Sequence, residues 1–203
     1  MTRPDREIII IGGGPAGLSA ALTLARARRS VSIIDNGELR NAPAVAAHGL
    51  LGLEGINPLE FLARGRDEVA SFGGEIVHGK VVAVSPDPDR FAVHLADGNA
   101  LAAGTLLIAT GVTDEFPPIA GLRERWGHDV VHCPYCHGWE IRDQRIGLIA
   151  TGPTSALHPP RLARPTPPRR DDREAAENEE SLPHFCGRLS FTTAQGHSVH
   201  RFE

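Results

Sequence analysis

Two thiols three positions apart define the chemistry open to this chain. Cys133-Pro-Tyr-Cys136 is a C-x-x-C, a spacing at which two sulfurs can close a small, reducible disulfide. His132 and His137 flank the pair, and either imidazole could accept a thiol proton. Three readings compete for these residues. A redox dithiol comes first, because a nucleotide-binding signature lies upstream. Zinc comes second, since His132, Cys133, Cys136 and His137 are all ligand types. Adjacent residues rarely reach one metal together, however, and further ligands would have to come from the region of His184 and Cys186. Two inert, reduced thiols are the third reading.

The upstream signature is Glu7-Ile-Ile-Ile-Ile-Gly-Gly-Gly-Pro-Ala-Gly17. Four β-branched apolar residues in a row read as a strand buried on both faces, as in a parallel sheet. The strand runs into Gly12, Gly14 and Gly17, a G-x-G-x-x-G in register. Gly12 permits the tight turn, Gly14 lets backbone approach a pyrophosphate, and Gly17 lets the next helix pack close. A helical run from Leu18 follows, whose amino-terminal N–H groups favour a phosphate. A second strand, 31–34, ends at Asp35, about where an acidic residue meets a ribose hydroxyl. Strand, turn, helix, strand and acid in that order specify a dinucleotide site far better than the glycines alone.

The remaining elements place these two features. A polar loop follows Asp35, and its residues Arg40 and Asn41, with His48 beyond, are candidates to contact a bound nucleotide. Asn57-Pro58 reads as an N-cap with proline at the first helical position, opening a helix through about Phe72 that stops at Gly73-Gly74. Extended segments at 75–84, 90–95 and 100–103, with Asp97-Gly98 as a hairpin turn, predict a three-stranded β-meander inserted in an α/β frame. A further buried strand, 105–108, leads to a small-residue turn at Ala109–Gly111. Phe116-Pro-Pro-Ile-Ala-Gly breaks all periodicity and reads as a connector between lobes. A strand at 145–150 then starts what looks like a second nucleotide unit, with Ala150 where the first glycine should stand. After about Gly152 prolines cluster and isoleucine disappears, so the tail is expected to be disordered, an ending truncated or out of frame.

The totals narrow the setting. At 203 residues, 41% hydrophobic and 23% charged, the chain has a globular composition, and a formal charge of −4 gives no reason to invoke nucleic acid or a membrane surface. No signal peptide or spanning run is expected. That points to the cytoplasm, where three cysteines cannot build a disulfide framework and a close pair is more naturally catalytic or metal-binding than structural.

Gly12-Gly-Gly-Pro-Ala-Gly17, Ile108-Ala-Thr-Gly111 before a connector, and a C-x-x-C some twenty residues on resemble low-molecular-weight thioredoxin reductases. Arg40-Asn-Ala-Pro, His48-Gly and Cys133-Pro-Tyr-Cys-His-Gly-Trp-Glu140 are closer to a thioredoxin-reductase-like branch that includes dithiol oxidases. The resemblance covers residues 6 to about 153. It implies an FAD-binding domain over 1–115, a connector and the beginning of a pyridine-nucleotide domain over 116–153, and a low-order tail over 154–203. FAD would lie with its phosphates at Gly12, Gly14, Pro15, Ala16 and Gly17 and its ribose near Asp35. Asn36, Leu39, Arg40, Asn41 and His48 would approach the flavin side, backbone near Val82 the adenine, and Ala109, Thr110 and Gly111 would close the site. Cys136 would face the flavin, while Cys133 would exchange with an external disulfide or dithiol.

The implied activity is an FAD-dependent thiol–disulfide oxidoreductase passing electrons between NADPH or oxygen, FAD and the Cys133–Cys136 pair. Its partner would be a thioredoxin-like protein or a small dithiol or disulfide, and the resemblance leaves a homodimer open. Two features depart from the family. His137 stands where thioredoxin reductases usually carry an aspartate as the acid, which puts thioredoxin itself in doubt as substrate. The NADPH site would be largely missing, as would the segment that returns to the flavin domain. The rival expectation is therefore a truncated, non-catalytic nucleotide-binding fragment.

Overall fold

Isoleucines 8–11 extend because branching at Cβ disfavours the helical turn, and in a computed structural model of the chain they form an inner strand of a six-stranded sheet. Residues 6–86, 88–142, 148–150, 191–193 and 198–199 are described. The chain divides into two compact units, one comprising Met1–Ala47 with Gly52–Asp114 and the other His48–Leu51 with Glu115–Glu203.

In the first unit the elements are β1 (Arg6–Ile11), α1 (Pro15–Arg26), β2 (Val31–Asp35), α2 (Pro58–Ser71), β3 (Glu75–His78), β4 (Val81–Pro86), β5 (Phe91–Leu95) and β6 (Ala100–Ile108). The strands lie in the order β3-β2-β1-β6-β5-β4. β1 is parallel to β2 and to β6, β2 is parallel to β3, and β4, β5 and β6 run antiparallel as a meander. This is the expected Rossmann-like frame with an inserted meander.

The alternation of β1 assigns its two faces. Ile10 joins Leu18, Ala21 and Ala25 of α1, Val31 and Ile33 of β2, and Leu62 and Val69 of α2 in one buried cluster. Ile9 and Ile11 join Ile34, Val77, Val93, Leu95 and Ala103 in another, so the meander strands cover the face opposite the helices. Both faces are closed, which is why the isoleucine run lacks polar alternation. Helix α2 begins as its sequence requires: Asn57 caps it, accepting from the N–H groups of Leu59 and Glu60, and Pro58 takes the first position. It stops before Gly73, whose φ of +85° suits glycine.

Two strand boundaries differ from expectation. The segment 75–84 is two strands, because Gly79 turns the chain away after donating its N–H to the Asp35 carbonyl (2.9 Å). Conversely, 100–103 and 105–108 are one strand, since Gly104 stays extended and the strand merely changes partners. Ala100–Ala103 pairs with β5, whereas Ala103–Ile108 pairs with β1. The outer end is less buried than an apolar run suggests, with Ile108 64% exposed.

The second unit contains the four-residue helix α3 (Pro134–His137) and strands β7 (Leu148–Ala150), β8 (Phe191–Thr193) and β9 (Ser198–Val199). β7 pairs in parallel with β8, and β8 antiparallel with β9. Of the tail expected to lack order, only β8 and β9 are described, and Phe-Thr-Thr has the aromatic and β-branched character of a strand. His184 and Cys186 lie outside the described residues. Among the described residues, no helix is long and apolar enough to cross a membrane.

Ile33 has no exposed surface and sits between β1 and both helices. Ile33→Ala should therefore lower unfolding free energy by about 2–5 kcal/mol in urea melts. A loss under about 1 kcal/mol would show that the helix-side cluster does not hold this unit together.

Candidate functional site

The three glycines of the motif are required for different physical reasons. Gly12 leaves β1 with φ +111°, and its N–H donates to the Ile34 carbonyl at 2.8 Å. A Cβ there would lie 2.3 Å from the carbonyl oxygen of Ala109, just beyond β6. At Gly17 a Cβ would lie 1.9 Å from the Gly12 carbonyl oxygen. Protein backbone fills both spaces. Gly14 differs, because a Cβ there would meet nothing within 4 Å and its φ of −75° suits any residue. It is the N-cap of α1 and offers no side-chain cap, so the orphan amides of the first turn are left for an external acceptor. A glycine with no internal reason to be one, placed at a helix start, is what a closely approaching phosphate needs.

Gly13, outside the sequence motif, proves as constrained as its neighbours. A Cβ there would stand 2.5 Å from both Cγ and Oδ2 of Asp35. The carboxylate thus lies against the turn. Its Oδ1 accepts from the N–H groups of Gly13 (3.4 Å) and Gly37 (3.2 Å), and its Oδ2 accepts from Nη2 of Arg66 on α2 (2.9 Å). Burial pushes the Asp35 carboxyl up; the Arg66 hydrogen bond and charge, with the two amides, outweigh burial and hold it below its ordinary 3.8. Arg66 escaped the sequence reading because nothing local pairs position 66 with position 35. The only hint was helical phasing, which places Arg66 one turn beyond the buried Leu62.

The other sequence candidates are distributed around this turn or away from it. Ala109, Thr110 and Gly111 follow β6, and Ala109 N–H donates to the Ile11 carbonyl (2.8 Å), fixing their backbone beside Gly12. Pro15 and Ala16 open α1. In the loop after β2, Leu39 packs against the helix-side cluster, Asn36 binds Glu38, and Asn41 lends its carbonyl to Ala44. Arg40 forms a two-point ion pair with Asp114 (2.7 and 2.5 Å), a partner the sequence did not suggest. Val82 lies on β4, 60% exposed.

In the second unit, Cys133 caps α3, its sulfur accepting from the Cys136 N–H at 3.3 Å. The two Sγ atoms lie 2.6 Å apart. Closing a disulfide therefore asks only for side-chain adjustment. His132 stacks on Trp126 (5.8 Å, 27°), which in turn meets Phe116 edge-on, so the connector orients the histidine before the pair. The other flank is different. His137 has a buried Nδ1 with no hydrogen-bond partner, and His48 stands edge-to-face with it at 5.9 Å. Nδ1 of His48 is 3.5 Å from the Glu140 carboxylate. His48 is thus grouped with the thiols' own unit.

Gly12→Ala should cost about 2–4 kcal/mol in unfolding free energy, since strain and a backbone collision coincide. Gly14→Ala should leave stability within about 0.5 kcal/mol of the parent; equal losses would refute the distinction. The lowered Asp35 also has a signed consequence. Its stabilisation is complete above the ordinary value of 3.8 and is lost as pH falls through the lower folded value. Acid melts of Asp35→Asn should lack that component, and parallel curves would exclude it.

Comparison with known proteins agrees with this geometry. The family model described as pyridine nucleotide-disulphide oxidoreductase matches residues 6–155. Thioredoxin reductase tcpT of Claviceps purpurea (strain 20.1) is 39% identical over 160 residues, 75% of this chain and 50% of that protein. Thioredoxin reductase of Aquifex aeolicus (strain VF5) is 29% identical over 196 residues, 94% of this chain and 54% of that protein. The chain thus spans about half the length of the curated relatives it matches. A solved oxidoreductase from Agrobacterium tumefaciens superposes with a TM-score of 0.74 at 37% identity, covering 97% of this chain and 72% of that one. With the glycine turn, the strands of the first sheet and the vicinal thiols all inside the matched region, the chain belongs to the pyridine nucleotide-disulphide oxidoreductase family.

Proposed function

We propose that this chain carries the nucleotide turn and the redox dithiol of an FAD-dependent thiol–disulfide oxidoreductase of the thioredoxin-reductase-like kind. The observation that carries this reading is the Cys133–Cys136 pair, with Sγ atoms 2.6 Å apart in a chain of this family. The turn fits a flavin nucleotide. Gly14 leaves open space at a helix start, where a diphosphate would find amide donors, and the ionised Asp35 offers an acceptor for ribose hydroxyls. Gly12, Pro15, Ala16 and Gly17 would complete that cradle, with Ala109–Gly111 beside it. When bound, FAD supplies a two-electron redox centre for the dithiol.

The chain's own chemistry is thiol exchange. In the reducing direction, the Cys133 thiolate attacks one sulfur of an external disulfide, expelling the other sulfur as a thiolate. Cys136 then attacks Cys133 in the mixed disulfide, releasing the reduced substrate and leaving a Cys133–Cys136 disulfide. Two electrons leave the pair for the substrate, and its two protons end on the departing thiols. The oxidising direction is the reverse and returns the pair to dithiol. His137, next to Cys136, would take and return its proton. NADPH or oxygen would be the opposite redox partner, and a thioredoxin-like protein or a small dithiol or disulfide the substrate. A cytoplasmic setting suits thiols that must cycle.

Full-length protein supplied with FAD should bind it and turn over a dithiol or disulfide substrate. Cys136→Ser should retain the flavin yet fall below about one-thousandth of parental turnover, since removing one member of a unit disables the whole. Parental protein that stays colourless in excess FAD would instead favour the non-catalytic reading, and undiminished turnover by Cys136→Ser would remove that thiol from the reaction.

A further inference from the structure

Arg66 has no role in the thiol exchange, yet it makes a charged contact to the acid at the end of β2. It reaches that place through a particular packing. A Cβ at Gly65 would lie 3.1 Å from Cδ1 of Leu18, so the glycine lets α2 settle against α1. The next side chain then spans from α2 to the carboxyl end of β2, where its Nη2 donates to Oδ2 of Asp35 at 2.9 Å. The ion pair is largely sheltered, with 9% of the Asp35 side chain and 30% of the Arg66 side chain exposed. Nε of Arg66 is buried without a partner, so the side chain is held in place for its terminal nitrogen rather than for its full donor set.

We propose that Arg66 is a positioning residue of the nucleotide site: from α2 it clamps Oδ2 of Asp35, which keeps the carboxylate turned onto the glycine turn and charged for a ribose hydroxyl. The inference rests on the FAD reading given above. With Oδ2 clamped, Oδ1 points at the Gly13 and Gly37 amides, and rotation of the side chain would drive it into the space that Gly13 keeps open. Without the guanidinium, a largely buried carboxylate would keep two amides of ordinary strength, and burial would favour its neutral form.

The charged surroundings of Asp35 are few. Arg66 faces it from α2, His78 is its register partner on β3, and Glu38 lies in the following loop, bound to Asn36. The first turn of α1 and the end of β1 bring no charge. Arg66 is therefore the cation within hydrogen-bond reach among the described residues, and its removal should move Asp35 upward.

The test is FAD titration of the chain, followed by flavin fluorescence from about pH 2 upward at about half-unit steps, so that the window extends below the ordinary carboxylate value of 3.8. Arg66→Met should bind FAD about tenfold more weakly at neutral pH, and its acid loss of FAD should begin at higher pH than in the parent. Arg66→Lys, which restores charge without the planar fork, should bring the acid midpoint back toward the parent. In an Asp35→Asn background, Arg66→Met should add little, because the group it acts through is gone. Parental affinity and midpoint in both Arg66 variants would overturn the proposal, as would a full additional loss in the Asp35→Asn background. Failure of the parent itself to bind FAD counts against the flavin reading instead, which keeps the two failures distinct.

Discussion

The first unit depends on how three pieces of backbone share the space at the carboxyl end of β1. Gly12 presses against Ala109, Gly17 presses against Gly12, and Gly13 lies against the Asp35 carboxylate. Each contact is closer than a methyl group would permit. The turn, the start of α1, the end of β2 and the exit of β6 are therefore fixed relative to one another by exclusion of side-chain volume, and the sheet order follows because β1 must sit between β2 and β6 for all three contacts to form. Gly14 alone in this turn faces empty space. The same crowding that makes the turn rigid thereby leaves one opening, and it lies where helix amides are unsatisfied.

A charged group completes this arrangement. Asp35 is buried, and a buried carboxylate without partners would be neutral or would unfold its surroundings. Two amides from the turn and the following loop, with the Arg66 guanidinium, resolve that conflict in favour of the anion. The contacts that make burial tolerable also fix the charge and the direction of the carboxylate.

The thiol chemistry is built on a different scale. Cys133 and Cys136 meet because one turn of α3 brings positions three apart to the same side, so their proximity is a local fact of the chain. What surrounds them is not local. Trp126 stacks on His132, and His48 arrives from a remote position to meet His137 edge-on and stand beside the Glu140 carboxylate. His48 thus stands edge-on to His137, the residue that follows Cys136.

The sequence by itself determined whatever depends on neighbours a few residues apart. The Ile8–Ile11 strand, the glycine spacing, the Asn57-Pro58 cap, the Asp97-Gly98 turn and the C-x-x-C are all legible because backbone propensity, capping and helical repeat act over one or two turns. Its errors fell where local signals are silent about partners: Gly79 divides one expected segment, and Gly104 fails to divide another, because pairing with β2, β1 and β5 decides which glycine is a break. Only the tertiary structure decided that Gly13 is as constrained as the motif glycines, that Arg66 answers Asp35 across 31 positions, and that Arg40 is held by Asp114 across 74. Such pairs carry no mutual signature in the chain. They arise when a core closes and places a buried charge where one remote side chain can reach it.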